Sequence, residues 1–312
     1  MCAVQCSPSG EVNVMTESVH RITALTDLTP ASNCTIERGA AYARAMRAQL
    51  DVLHVAEELP PLLFEAVEGH RRRAIDEYME QLHQRLEQDE IRHAWHAIDG
   101  VPYLATLEWI REHNSNALLV AADAYINRRH RPHRLGSTAH KLARKSGLAT
   151  FVIKSDEHPD PPLWQRVLVL TDLSEASRSA CRRLPEILPA GTELTLMYCY
   201  ELPPYVAGVE LLDVPALDLE PIERDVRASA TQSFNDFVDS LKDEVTFAAT
   251  HVSLGLPVEQ ALHAIEEGDY DLVAVGSRGQ NPAVAILLGS VAEGMLDLSP
   301  IDVLVIPTNG NA

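Results

Sequence analysis

The chain has 312 residues, enough for two domains with cores of their own, and although 46% are hydrophobic no apolar run approaches the roughly 20 residues needed to cross a bilayer. The net charge of −19 is lopsided, with 18 Lys+Arg against 19 Asp+Glu in residues 1–154 and 8 against 26 in residues 155–312, so the second half is a poor surface for nucleic acid. Cys2, Cys6, Cys34, Cys181 and Cys199 are odd in number without metal-ligand spacing, and the opening stretch lacks the regions of a signal peptide, so a cytoplasmic chain with reduced thiols and no membrane contact is expected.

Residues 1–17 read as a flexible tail. Short β-branched or apolar runs then predict strands at 20–26, 50–55, 92–98, 117–122 and 150–153, with helices near 32–48, 65–89, 102–113 and 137–146. The second of these helices is rich in Glu and Gln and carries Arg71, Arg72 and Arg73, the pattern of a solvated face. His83, His93 and His96 lie close in sequence, but His93 and His96 fall on opposite faces of their strand, so no metal site is expected. Residues 127–145 contain no acid, while Arg128, Arg129, Arg131, Arg134, Lys141, Arg144 and Lys145 form the densest positive stretch. That stretch fits a solvated loop, a contact with the acidic second half or with another copy, or a polyanion site. The lack of interleaved aromatics counts against nucleic acid.

Residues 155–162, rich in Pro and Asp, read as a linker. Beyond it, strands are predicted near 166–171, 193–199, 246–252, 271–275 and 302–306, with helices near 175–187, 219–242, 257–266 and 290–297. Alternating helices and fully apolar strands argue for parallel sheets covered on both faces. Ligands of such sheets sit beyond the carboxyl ends of strands where the order reverses, and Thr171, Asp172, Cys199 and Gly276 lie at or beside such ends.

The chain is written twice. RITALTDLT at 21–29 returns as RVLVLTDLS at 166–174, Gly100-Val101-Pro102 as Gly255-Leu256-Pro257, and Leu135-Gly136-Ser137 as Leu288-Gly289-Ser290. Gly276 and Gly279 are separated by two residues, and nine more precede Gly289-Ser290. Glycines at a strand end let backbone approach a ligand, and a Gly-Ser opening a helix offers N–H groups to an anion such as phosphate. Local roles compete: Asp172 and Ser290 as helix caps, the glycines as a tight turn. Aligning Gly136 on Gly289 sets Asp123 against Gly276 and Ile126 against Gly279, which closes the first copy to a phosphate. No Gly-x4-Gly-Lys-Ser/Thr loop and no Gly-x-Ser-x-Gly elbow occurs.

This set of motifs resembles the universal stress protein family, as a tandem covering about residues 18–308. The resemblance implies an α/β fold of two tandem doubly wound domains, each a five-stranded parallel sheet flanked by helices, of the adenine nucleotide alpha hydrolase-like kind. The expected domains are 18–154, with a degenerate nucleotide motif, and 163–308, with the intact one. In the nucleotide-binding branch of the family, Asp172 would face the adenosine and Thr171 would shape the pocket. Cys199, after Tyr198, stands where the family usually has Val after His and backbone meets adenine. Val275 and Gly276 would flank the nucleoside, while Gly279, Gly289, Ser290 and Val291 would surround the phosphates. The expectation is one ATP per chain, with or without Mg²⁺, in the second domain only. No catalytic residue and no resident metal is assigned. The implied role is a cytoplasmic stress-response module that senses nucleotide and acts through a protein partner. A nucleotide-free scaffold and a slow ATPase or phosphotransferase are the alternatives. The two final strands would pair as in the family's dimers, either within the tandem or between chains.

Overall fold

Strands that are apolar along their whole length are stable only inside a sheet covered on both faces, and the computed structural model of this chain has that arrangement. It describes residues 20–57, 61–88, 90–122, 136–154, 163–202, 220–278 and 288–308. The first half runs β1 (Arg21–Thr26), α1 (Pro30–Met46), β2 (Gln49–Ala56), α2 (Pro61–Gln88), β3 (His93–Asp99), α3 (Pro102–Glu112), β4 (Ala117–Ala121), α4 (Ser137–Lys145) and β5 (Ala149–Ile153). The second runs β6 (Arg166–Thr171), α5 (Glu175–Arg182), α6 (Leu184–Ile187), β7 (Glu193–Tyr200), α7 (Glu220–Asp239), β8 (Ala249–Leu254), α8 (Pro257–Glu267), β9 (Leu272–Gly276), α9 (Ser290–Leu298) and β10 (Asp302–Ile306).

All ten strands form one sheet in the order β3-β2-β1-β4-β5-β10-β9-β6-β7-β8. Within each half the strands are parallel, and the chain reverses its order between β1 and β4 and again between β6 and β9. The halves join through an antiparallel pairing of β5 with β10, centred on Phe151 opposite Leu304. The final strands therefore pair within the chain. Each has a neighbour on both sides, so neither presents a free edge to a second copy.

Side-chain alternation distributes the core over both faces. Ile22, Ala24, Phe151, Val167, Val169 and Leu304 pack on one, and Leu118, Val120, Val152, Leu168, Val303 and Val305 on the other. Both clusters run across the junction without a break at the halves.

Two sequence expectations shift. The helix expected over 175–187 divides at Arg183, because Pro185 has no N–H to donate to the preceding turn. The strand expected from 246 begins at Ala249, where its partner β7 first offers a paired residue in Thr195. The repeated Gly-x-Pro is a helix lead-in: Gly100 and Gly255 take φ of 148° and 131°, and Pro102 and Pro257 open α3 and α8.

Candidate functional site

The carboxyl ends of β6, β7 and β9 surround a cavity of about 790 Å³ at the second-half strand-order reversal. Thr171, Asp172, Cys199, Val275, Gly276, Gly289, Ser290 and Val291, all singled out from sequence, line it together. Gly279 lies outside the described residues. Arg278 adds a guanidinium to the wall.

The loop after β6 is built by its own side chains. Thr171 Oγ1 accepts from the Leu173 N–H at 3.1 Å, and Leu173 itself sits in the left-handed region at φ 62°. Asp172 Oδ1 accepts from the Ser174 N–H at 3.0 Å and from the Ser177 hydroxyl at 2.8 Å. Ser174 caps α5, its Oγ accepting from the Ser177 N–H at 3.2 Å. The first half repeats this loop: Leu28 has φ 64°, Thr26 Oγ1 bonds Ser32 Oγ at 2.8 Å, and Asp27 Oδ1 accepts from the Thr29 N–H at 3.0 Å. The cap of α5 is thus Ser174, with Asp172 as its buttress.

The opposite wall is the start of α9. Gly289 occupies the N-cap at φ −67°, ψ 150° with no side-chain cap, and its N–H is tied to the Ser277 carbonyl at 3.1 Å. Ser290, read as a competing cap, is instead the first helical residue and is exposed. First-turn N–H groups of such a helix have no intrahelical acceptor, and the helix dipole adds partial positive charge there. Glu293 in the same turn opposes it.

Gly276 serves the packing rather than a turn. A Cβ there would stand 3.1 Å from Thr308 Cγ2, and the strand end is fixed by Ser277 N–H to the Ile306 carbonyl at 2.8 Å. The β7 wall is apolar and half-buried: the Tyr198 ring stacks on Phe234 at 6.1 Å, and burial pushes the Cys199 thiol up to about 11. Burial, aided by Asp172 and Cys199, also raises the Tyr198 phenol.

One wall carries none of the motif residues. Val226, Ser229, Ala230 and Ser233 of α7 line the cavity. Their spacing of i, i+3, i+4 and i+7 marks one helical face, but not what that face meets. The alignment of the twin loop also needs correction. Sheet register sets Ile22 against Ala117 and Val167 against Leu272, so the counterpart of Gly276 is Ala121, not Asp123. Asp123, outside the described residues, follows Ala122 as Arg278 follows Ser277. The error arose because the first-half loop from strand end to Gly136 is two residues longer. Ile126 and residues 123–135 also lie outside the described residues. Of the basic stretch, Lys141, Arg144 and Lys145 are described, and the two lysines stand 4.3 and 5.7 Å from the Tyr103 ring centre.

Parallel strands with an order reversal in each half and helices on both faces define the doubly wound α/β class. The sequence profile of the universal stress protein family matches residues 18–154 and again 163–307, and the chain belongs to that family, as a tandem. Universal stress protein Rv2005c of Mycobacterium tuberculosis is 27% identical over 173 residues, 55% of each chain, so the chain spans about half the length of that curated relative in the match. The crystal structure of a universal stress protein from Archaeoglobus fulgidus shares the fold at TM-score 0.64 and 18% identity, over 93% of this chain and 98% of that one. A universal stress protein solved in complex with cAMP matches 47% of this chain and 98% of its own at 25% identity and TM-score 0.32. Among the described residues no helix is long and apolar enough to cross a membrane.

Proposed function

We propose that this chain is a cytoplasmic stress-response module that binds one ATP, with or without Mg²⁺, in its second half and acts by nucleotide-dependent regulation of a protein partner. The observation that carries the reading is the convergence on one cavity of the β6 loop, the end of β9 and the side-chain-free cap of α9. In this reading the α9 start and Arg278 meet the phosphates, while Tyr198, Cys199, Val275 and the small face of α7 enclose the nucleoside. Asp172, Glu201 and Glu293 bring negative charge near the site, which favours a nucleotide carried with a divalent cation. The role is one of binding: no general base is assigned, and hydrolysis is expected to be slow. Any association between chains would use surfaces other than the edges of β5 and β10.

Equilibrium dialysis of the full chain with ATP and Mg²⁺ tests the proposal. Ser290→Asp suits the helix, since an acid in the first turn complements the dipole. It also sets a carboxylate against the phosphates. At about 5 Å and an effective dielectric of about 20, that repulsion is roughly 3 kcal/mol, or about two orders of magnitude in affinity. Adenosine binding should change little. Equal ATP binding by Ser290→Asp overturns the placing of the phosphates at the start of α9, and absence of binding by the wild type favours the nucleotide-free scaffold instead. That alternative draws on the twin Asp27 loop, which builds the same network as Asp172.

A further inference from the structure

At the far end of the sheet from this cavity, His83 of α2 and His93 of the edge strand β3 face each other, with His83 Nδ1 2.8 Å from His93 Nε2. The outer nitrogens fix the tautomers. His83 Nε2 lies 3.2 Å from the Glu87 carboxylate, and His93 Nδ1 lies 2.8 Å from the Ile91 carbonyl. A carboxylate and a carbonyl can only accept, so each outer nitrogen carries a ring proton. At the inner pair, 2.8 Å apart, either one ring takes a second proton and donates to the other, or both nitrogens present lone pairs. Two acceptors at that distance repel unless a cation stands between them.

The surroundings favour a cation. Asp76 and Glu80 line the same cavity of about 500 Å³ as the two rings, and no Lys or Arg is among its described lining. An imidazole whose remote N–H is held by a carboxylate or a backbone carbonyl is the usual form of a metal-ligating histidine. Two nitrogens on a tetrahedral ion, each at about 2.0–2.1 Å, stand about 3.3 Å apart, so the pair has to open by about half an ångström. His83 is 52% exposed and has room to turn.

We propose that His83 and His93 bind a divalent transition-metal ion of the imidazole-preferring kind, such as Zn²⁺, with Glu87 and the Ile91 carbonyl as orienting partners. Among the described residues no three His, Cys, Asp or Glu are grouped to hold a metal, so these two histidines supply the protein ligands and water completes the shell. The partner of His93 comes from the helix packed over the strand, not from the strand itself.

The test is calorimetric titration of the untagged full chain with Zn²⁺ at pH 7.5, alongside its thermal unfolding with and without the ion. One saturable ion per chain is expected, and the ion should raise the wild-type unfolding temperature. His83→Ala and His93→Ala should each weaken binding at least tenfold and abolish that rise, and Glu87→Gln should weaken it by about tenfold. His263→Ala, at an exposed histidine beside Glu267 but without a second imidazole, should bind as wild type does. No saturable uptake, or equal uptake by the double variant, overturns the proposal. So does an NMR titration in which the two rings share one added proton while Zn²⁺ leaves their signals unmoved.

Discussion

Cys199 and Cys181 show how burial sets chemistry side chain by side chain. Burial pushes the Cys199 thiol to about 11 and the Cys181 thiol to about 12, and a thiol is inert until pH approaches its own titration range. At pH 8 only about a thousandth of Cys199 is thiolate, and that fraction grows about tenfold for each pH unit up to pH 10. Alkylation by iodoacetamide, mapped by mass spectrometry, should follow that slope at Cys199 and lag at Cys181, which is 1% exposed. Bound nucleotide should protect Cys199. Fast labelling of Cys199 at pH 7 contradicts both its burial and the wall it forms. Ser177 makes the complementary point. Its hydroxyl joins Thr171 and Asp172 in one buried network, and nothing in its position in the sequence marks it as a member.

Among the elements, α9 is placed by a contact that helix propensity would not foresee. Gly294 sits within this helix, where replacement by Ala ordinarily gains about 1 kcal/mol. Here a Cβ would fall 2.6 Å from Val258 Cγ2 of α8, and a β-branched neighbour has little freedom to yield. Gly294→Ala should therefore destabilise the chain by about 1–3 kcal/mol in urea unfolding, and shift the α9 start enough to weaken ATP binding. A gain in stability would show that α8 and α9 are not packed this closely. The elements themselves were legible from periodicity because apolar strands and amphipathic helices obey local rules. The break at Pro185 is legible too, in the missing N–H of the proline. The start of β8 was not, since it depends on where β7 begins.

For the whole molecule, the junction is more than a linker. Asp302, 1% exposed at the head of β10, accepts from the Lys154 N–H at 2.8 Å and from Trp164 Nε1 at 2.9 Å, and pairs with Arg38 of α1 at 3.3 Å. Tyr42 of the same helix donates to the Ile187 carbonyl in the second half at 2.5 Å, and Trp164 stacks on Phe151 at 4.3 Å. Breaking a buried pair costs about 3–5 kcal/mol. Asp302→Ala should lower the urea midpoint accordingly. In the wild type, tryptophan fluorescence and far-UV circular dichroism should report one coincident transition. An unchanged midpoint, or separate transitions for the two signals in the wild type, would mean that the halves fold independently.

The sequence by itself determined the repeat, the parallel halves and eight of the residues that line the cavity, because each follows from short-range periodicity and from motif residues at strand ends. Tertiary structure decided the rest. Sheet register moved the counterpart of Gly276 to Ala121, since a two-residue difference in loop length is invisible when loops are aligned on a downstream glycine. The antiparallel junction settled where the final strands pair, because an edge is satisfied by whichever strand is nearest in space. The meeting of His83 with His93 and of Ser229 and Ser233 with the crevice likewise needed helices docked over a sheet, a placement that no local pattern specifies.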